Sequence, residues 1–240
     1  SGAQYHICHI STKESVQLLR KGKKRGVKVT GETGPHYLMF TDQDLEEDGK
    51  WKMNPPIREE ADREALIRGI QDGTIDCLIT DHAPHSAEEK SKGLAGSSFG
   101  IVGLETAFAS MFHNMVLRNP LDKDPLRVDL RKAKCTAAEA LSEKGKAEYG
   151  AISLYRLLEL MCTRPREIFP IRGPKYIEDG VEADITVLDL DACYPVDTAQ
   201  FYSKGKSTLF SGQEVQGKVL KTYYQGEEVY DFEKGILFQQ

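Results

Sequence analysis

Two periods of apolar positions alternate along the first part of the chain. Short apolar runs at Tyr5–Ile10, Val27–Glu32 and Ile75–Thr80 read as strands. Between them, residues 12–25 read as a helix. Ser11 or Thr12 can cap it, Glu14 sits in its first turn, and Gly26 follows its end. Residues 41–49 are acidic and polar, a short helix or loop. Trp51–Asn54 reads as another short strand, stopped by Pro55-Pro56. Residues 59–72 place Leu66, Ile67 and Ile70 on one helical face, with Gly73 after them. Strand–helix alternation of this kind predicts parallel βα units, and four such strands make half of an eight-stranded barrel.

Residues 86–100 are rich in Ser, Lys and Gly and predict a loop. Leu104, Phe108, Met111, Phe112 and Met115 then follow at helical spacing, predicting a core helix with His113 at its surface or at an interface. The charged stretch 119–150 predicts a surface helix or an insertion. Leu154, Leu157, Leu158 and Met161 mark another core helix, and Thr163–Glu167 begins a short one with Pro165 in its first turn. From about residue 175 the pattern becomes all-β. Strands are expected at Asp184–Asp189 and Lys218–Tyr223, and Gln225–Glu227 reads as a hairpin turn into Val229-Tyr230. The expected fold class is α/β: half of a TIM-type (β/α)8 barrel over residues 1–174, and a small β subdomain over residues 175–240.

Composition narrows the function classes. A chain of 240 residues is one domain, or one plus a small one, and 40% hydrophobic content suffices for a core. A charged fraction of 29% fits a soluble globular protein, and a net charge of -5 gives no reason to expect a nucleic-acid partner. The basic run Arg20–Arg25 reads as a solvated helix C-terminus, where cations complement the dipole. The cysteines are Cys8, Cys77, Cys135, Cys162 and Cys193, an odd set without a C-x-x-C pair. That argues against a disulfide framework and for a reducing cytoplasm. No apolar run approaches the ~20 residues a membrane span needs, and no signal peptide is read. A start at Ser1-Gly2, almost directly before a strand, is what a fragment, a processed product or a tagged chain would show.

The chemistry is expected where strands end. Asp81, His82 and His85 follow the run Ile75–Thr80, and His9 and His36 close the other two strand segments. Parallel α/β barrels carry their catalytic groups at that edge. His9, His36 and Asp81 are 27 and 45 residues apart, compatible with successive βα units converging on one rim. Two imidazoles and a carboxylate suit Zn2+ or a similar divalent ion, which brings the pKa of a bound water near neutrality. A carboxylate beside that water can take its proton. His6, three residues before His9 in a strand, should face the opposite side, and His82 should face away from Asp81. Both are assigned packing or supporting roles. His85 lies past Pro84, where it can reach a substrate. The Asn54 amide both donates and accepts, which suits a cyclic amide. The loop containing Gly93, Gly96 and Gly100 fits a flexible lid or a backbone clamp for a carboxylate.

These segments resemble the C-terminal part of the dihydroorotase family of the amidohydrolase superfamily. The resemblance rests on His9–Thr12, Glu32–Leu38, Lys52–Arg58, Thr80–His85, Phe99–Glu105, Ala183–Asp189 and Ser203–Thr208, spread over nearly the whole chain. It implies that His9 and His36 ligate the more exposed of two metal ions, and that Asp81 ligates the other and serves as general base and acid. It implies that Asn54 and His85 contact the pyrimidine ring and its carboxylate, with backbone near Phe99 and Gly100 helping to hold the substrate. The implied reaction is reversible cyclisation of N-carbamoyl-L-aspartate to L-dihydroorotate in pyrimidine synthesis, with one or two Zn2+ ions in the intact enzyme.

The family opens its barrel with a His-x-His pair followed by a substrate-binding arginine, and a carboxylate or carboxylated lysine on the fourth strand completes the metal site. No His-x-His occurs in these 240 residues. The resemblance therefore implies the second half of such an enzyme, inactive alone, associating with the missing N-terminal half or forming a homodimer. Other readings are an allantoinase or dihydropyrimidinase, or a non-catalytic structural or assembly homologue.

Overall fold

A computed structural model describes residues 2–122 and 150–237. The expectation for 119–150 falls almost wholly outside them.

Three parallel strands, β1 (Tyr5–Ile7), β2 (Val29–Thr33) and β3 (Cys77–Leu78), form one sheet in the order β1-β2-β3. Helix α1 (Lys13–Lys24) connects the first two. Thr12 caps it, its hydroxyl accepting from the Ser15 amide, and Val16 and Leu19 are its buried positions. Helix α2 (Pro35–Met39) follows β2 directly. Helix α3 (Glu60–Gln71) buries Leu66, Ile67 and Ile70 as the spacing predicts. The expected strand at Trp51–Asn54 is not formed. Gly49–Trp51 is a 3-10 turn, and the Lys52 carbonyl accepts from the Gly100 amide instead of entering a ladder. The sheet is extended by a different segment: His82 makes a parallel bridge to Ile101, and the Ala83 amide donates to the Ile101 carbonyl at 2.9 Å.

The segment read as a plain loop contains two short helices, α4 (Ala87–Lys90) and α5 (Gly93–Gly96). Ser86 and Glu89 close a capping box on α4, a local signal present in the sequence. Helix α6 (Ala107–Met111) widens into a π-helical turn over Phe112–Val116, and α7 (Leu154–Leu158) does the same over Glu159–Thr163 before α8 (Arg164–Ile168). Met111, Phe112 and Met115 are buried, whereas Leu104 precedes the helix and is exposed. His113 is buried, not superficial as expected, because the wider turn rotates it inward.

An antiparallel sheet follows: β4 (Ile185–Pro195), β5 (Glu214–Tyr224), β6 (Glu227–Asp231) and β7 (Gly235–Ile236), in sequence order. Gln225 and Gly226 both take positive φ between β5 and β6, the backbone that a two-residue hairpin turn requires. One hydrophobic cluster runs from Ile10, Leu66 and Ile70 through Phe40 and Met115 to Phe210 and Val215. Among the described residues no helix is long and apolar enough to cross a membrane.

Candidate active site

β1 ends at Ile7, two residues before His9, and the chain then turns sharply. His9 has φ 53° and Asp81 has φ 46°; with Gln225 they are the non-glycine residues with positive φ among those described. Left-handed backbone at two strand ends on one rim is a local cost that re-aims side chains. Here it brings the His9 Nε2 within 3.8 Å of the Asp81 Oδ1. The His9 Nδ1 in turn lies 3.8 Å from the Glu32 Oε1.

The same turn corrects the expectation that His6 and His9 face opposite sides. Strand alternation does not continue past Ile7, and both imidazoles approach Glu32, His6 through Nε2 at 3.0 Å from Oε2. Glu32 stands inside β2 and not at its end, so position in the sequence does not mark it as a site residue, although its period-two spacing from Thr30 places both on one face.

His36 occupies the first turn of α2, behind Gly34 and Pro35. A Cβ on Gly34 would stand 2.6 Å from the His36 Cε1, so a side chain there would push the ring out of place. The ring is buried, and its pKa is lowered to about 3, by burial first and then by the proximity of His9. It is therefore a neutral imidazole with a lone pair available. Both the His36 Nε2 and the His9 Nδ1 are buried without a hydrogen-bond partner. Buried, unpaired imidazole nitrogens are uncommon unless something else completes them. Imidazole nitrogens with free lone pairs and nearby carboxylates fit a divalent cation of the zinc type in donor chemistry, with the unpaired His9 Nδ1 turned to Glu32 and its Nε2 to Asp81.

A second group of residues surrounds this rim. The Tyr37 hydroxyl donates to the Pro55 carbonyl at 2.9 Å, tying α2 to the segment that carries exposed Asn54. The His85 Nε2 lies 2.8 Å from the Phe99 carbonyl. Gly100 has φ 119°, and a Cβ there would sit 2.4 Å from the Ala83 Cβ, so the loop closes on the strand end only with glycine. Lys90 is buried and donates to the carbonyls of Lys52, Ser98 and Gly100, holding the two loops together. His82 supports the far side: its Nδ1 accepts from the amides of Gly103 at 3.2 Å and Leu104 at 3.3 Å. His9 thus stands 3.8 Å from Asp81 and close enough to His36 to lower that ring's pKa, although the three do not close into a tight donor triad among the described residues, and His85, Phe99 and Gly100 meet in a neighbouring loop. Asn54 stands on the adjoining segment.

No family model matches the chain. Its sequence is 41% identical over 232 residues to dihydroorotases of Listeria innocua, Brevibacillus brevis and Geobacillus thermodenitrificans, taking in 96% of this chain and 47% of each relative. Among solved structures, the L-hydantoinase (dihydropyrimidinase) of Arthrobacter aurescens matches with a TM-score of 0.78 and 30% identity, over 100% of this chain and 47% of that protein. A D-hydantoinase matches at a TM-score of 0.77 with 20% identity, a likeness of fold alone. The chain spans about half the length of the curated relatives it matches. The α/β barrel architecture and the sequence match agree, and the chain belongs to the dihydroorotase family of amidohydrolases, corresponding to the C-terminal part of such a protein.

Proposed function

We propose that the chain supplies half of the active site of a dihydroorotase, which interconverts N-carbamoyl-L-aspartate and L-dihydroorotate in pyrimidine synthesis. The observation that carries this reading is the 3.8 Å approach of His9 to Asp81, with the buried, neutral His36 ring under the influence of His9, within a sequence 41% identical to dihydroorotases. His9 and His36 would hold one Zn2+ ion, and Asp81 would contact a second. The metal would polarise the scissile amide and supply a nucleophilic water near neutral pH. Asp81 takes the proton from the attacking water in the ring-opening direction and returns it to the departing amide nitrogen. Asn54 and His85 orient the ring and its carboxylate, and backbone at Phe99 and Gly100 closes over them. Small-molecule turnover then depends on the other half of the barrel, which would bring further metal ligands and an arginine. A cytoplasmic location belongs to the same reading. So does the division at 174/175, where parallel βα units give way to an antiparallel sheet.

Coexpression with the first half of the Listeria innocua relative tests the proposal. A stable complex that interconverts N-carbamoyl-L-aspartate and dihydroorotate, and loses turnover in His36→Ala and Asp81→Asn, is expected. Two pieces that do not associate would sink it, as would a complex that opens hydantoin or dihydrouracil but not dihydroorotate. The second of those outcomes would favour the hydantoinase alternative, which the fold likeness to the Arthrobacter enzyme keeps in view.

A further inference from the structure

One face of the parallel sheet carries a second donor cluster, set back along the strands from the rim. β1 and β2 run in register with His6 opposite Thr30 and Ile7 opposite Gly31. Two-residue alternation places Glu32 on the side of Thr30, and Cys8, the first residue past the end of β1, brings its sulfur to the same group. The opposite face is the one that meets the helix, since a Cβ on Gly31 would strike Ile10 and Leu19. On the helix-free face, His6, Cys8 and Glu32 bring an imidazole nitrogen, a thiol sulfur and a carboxylate oxygen within 4.8 Å of one another.

The hydrogen bonding of His6 prepares it for a cation. Its Nδ1 lies 2.7 Å from the Thr30 Oγ1, and its Nε2 lies 3.0 Å from the Glu32 Oε2. In the tautomer whose Nδ1–H donates to the threonine hydroxyl, the Nε2 lone pair faces the carboxylate, and a proton or a metal must lie between them; in the other tautomer Nε2–H donates to Glu32, and a metal would displace that proton. A partner that fixes the far nitrogen is also what orients metal-ligating imidazoles. The Phe169 ring packs edge-on against the imidazole, with centroids 4.8 Å apart, and limits its rotation.

We propose that His6, Cys8 and Glu32 form a binding site for a borderline-soft divalent cation, Zn2+ or its analogues Co2+ and Cd2+. Sulfur and nitrogen donors disfavour Mg2+ and Ca2+. Ligands around a tetrahedral ion stand roughly 3.5 Å apart, so the widest separation must close by about 1 Å. Cys8 is exposed just beyond the terminal strand of the sheet, where its side chain can swing. Coordination forms an S–metal bond and releases the thiol proton to solvent. Glu32 also faces His9, so this site adjoins the candidate rim without using His36 or Asp81. The inference does not depend on the dihydroorotase reading.

Cobalt titration of the reduced chain tests it, read by the near-ultraviolet thiolate-to-cobalt charge-transfer band. The band is expected in the wild type and in His36→Ala, which cripples the rim but not this cluster. It should persist in Cys77→Ser, the thiol opposite Glu32 in the β2–β3 register, and vanish in Cys8→Ser. His6→Gln and Glu32→Gln should each weaken cobalt binding at least tenfold. As a second readout, Cd2+ should protect Cys8 from alkylation in the wild type but not in Glu32→Gln, with thermal midpoints confirming that each variant is folded. Absence of the band in the wild type, its survival in Cys8→Ser, or its loss in Cys77→Ser alone would overturn the proposal. In that case the His6–Glu32 contact is a hydrogen bond and not a metal site.

Discussion

The ammonium of Lys90 lies 2.7 Å from the Gly100 carbonyl oxygen and reaches Ser98 at 2.8 Å and Lys52 at 3.2 Å. One buried cation thereby fixes two loops that share no strand. Burial holds its pKa below the ordinary lysine range. Replacing it with methionine keeps the stem but takes this donor from the Ser98 and Gly100 carbonyls, while the Lys52 carbonyl keeps the Gly100 amide. Lys90→Met is expected to cost about 2 kcal/mol, within the range for unsatisfied buried polar groups. Urea unfolding should show a lower midpoint at unchanged slope, and amide exchange at Gly100 should quicken. A midpoint equal to wild type would show that the loops hold without the ammonium.

Gly31 sits in β2 against α1. A Cβ there would stand 2.6 Å from the Ile10 Cδ1 and 2.8 Å from the Leu19 Cδ2. Both neighbours are terminal methyl groups, yet both belong to fully buried residues with little room to withdraw. Gly31→Ala should therefore destabilise by about 1 kcal/mol, the low end for overpacking. Adding Ile10→Val should recover part of the loss, and a double-mutant cycle would measure the coupling. Strict additivity would place the strain elsewhere.

The legible parts of the fold were those governed by local period. α1, α3, the hairpin at Gln225-Gly226 and the strand ends before His36 and Asp81 follow from spacing, caps and turn residues. Trp51–Asn54 misled because a short apolar run before proline looks the same whether or not it finds a partner. The Lys52 carbonyl found Gly100 instead, 48 positions later in the sequence. His113 misled because a π turn shifts the helical phase, and no residue type announces one. At the site, residue identity singled out His9, His36 and Asp81 as candidates, and the fold brings His9 to 3.8 Å from Asp81. The convergence of His6 with His9 on Glu32 was hidden, because it depends on where β1 stops and on a positive φ at His9. Lys90 was hidden because a Ser-, Lys- and Gly-rich stretch reads as a loop until the tertiary partners of its lysine are known.

His113 offers a titration that separates burial from charge pairing. Its pKa is lowered to about 4 from 6.5, by burial first and then by the Arg118 guanidinium, and its Nδ1 has no partner. The unfolded chain binds this proton more readily than the folded one. Its contribution is thus fully present above pH 6.5 and is lost as pH falls towards 4. Each unit of displacement is worth roughly 1.4 kcal/mol. His113→Leu fills a similar volume without a titrating group. Its stability should fall less steeply than that of wild type between those pH values, measured by urea midpoints at a series of pH. Parallel profiles would mean that the ring is not held neutral.

Asp76 tests how much of the stability rests on a single buried charge. Its carboxylate is nearly inaccessible and accepts from the Lys23 Nζ at 2.7 and 2.8 Å, the Gly31 amide at 2.9 Å and Arg164 at 3.2 Å. It therefore joins α1, β2 and α8 at the start of β3. Asp76→Asn preserves shape but leaves Lys23 and Arg164 facing a neutral amide in a poorly hydrated site. A loss of about 3 kcal/mol is expected, as when one member of a buried ion pair is removed. The Arg68–Glu64 pair on α3 is a control, since its atoms are 3.8 Å apart and both side chains are well exposed. Arg68→Ala should cost less than ~0.5 kcal/mol. Salt should erase that small difference and leave the Asp76 effect largely intact, because screening acts on exposed charges far more than on buried ones. Equal costs for the two substitutions would mean that water reaches Asp76 and that its three partners compete with solvent.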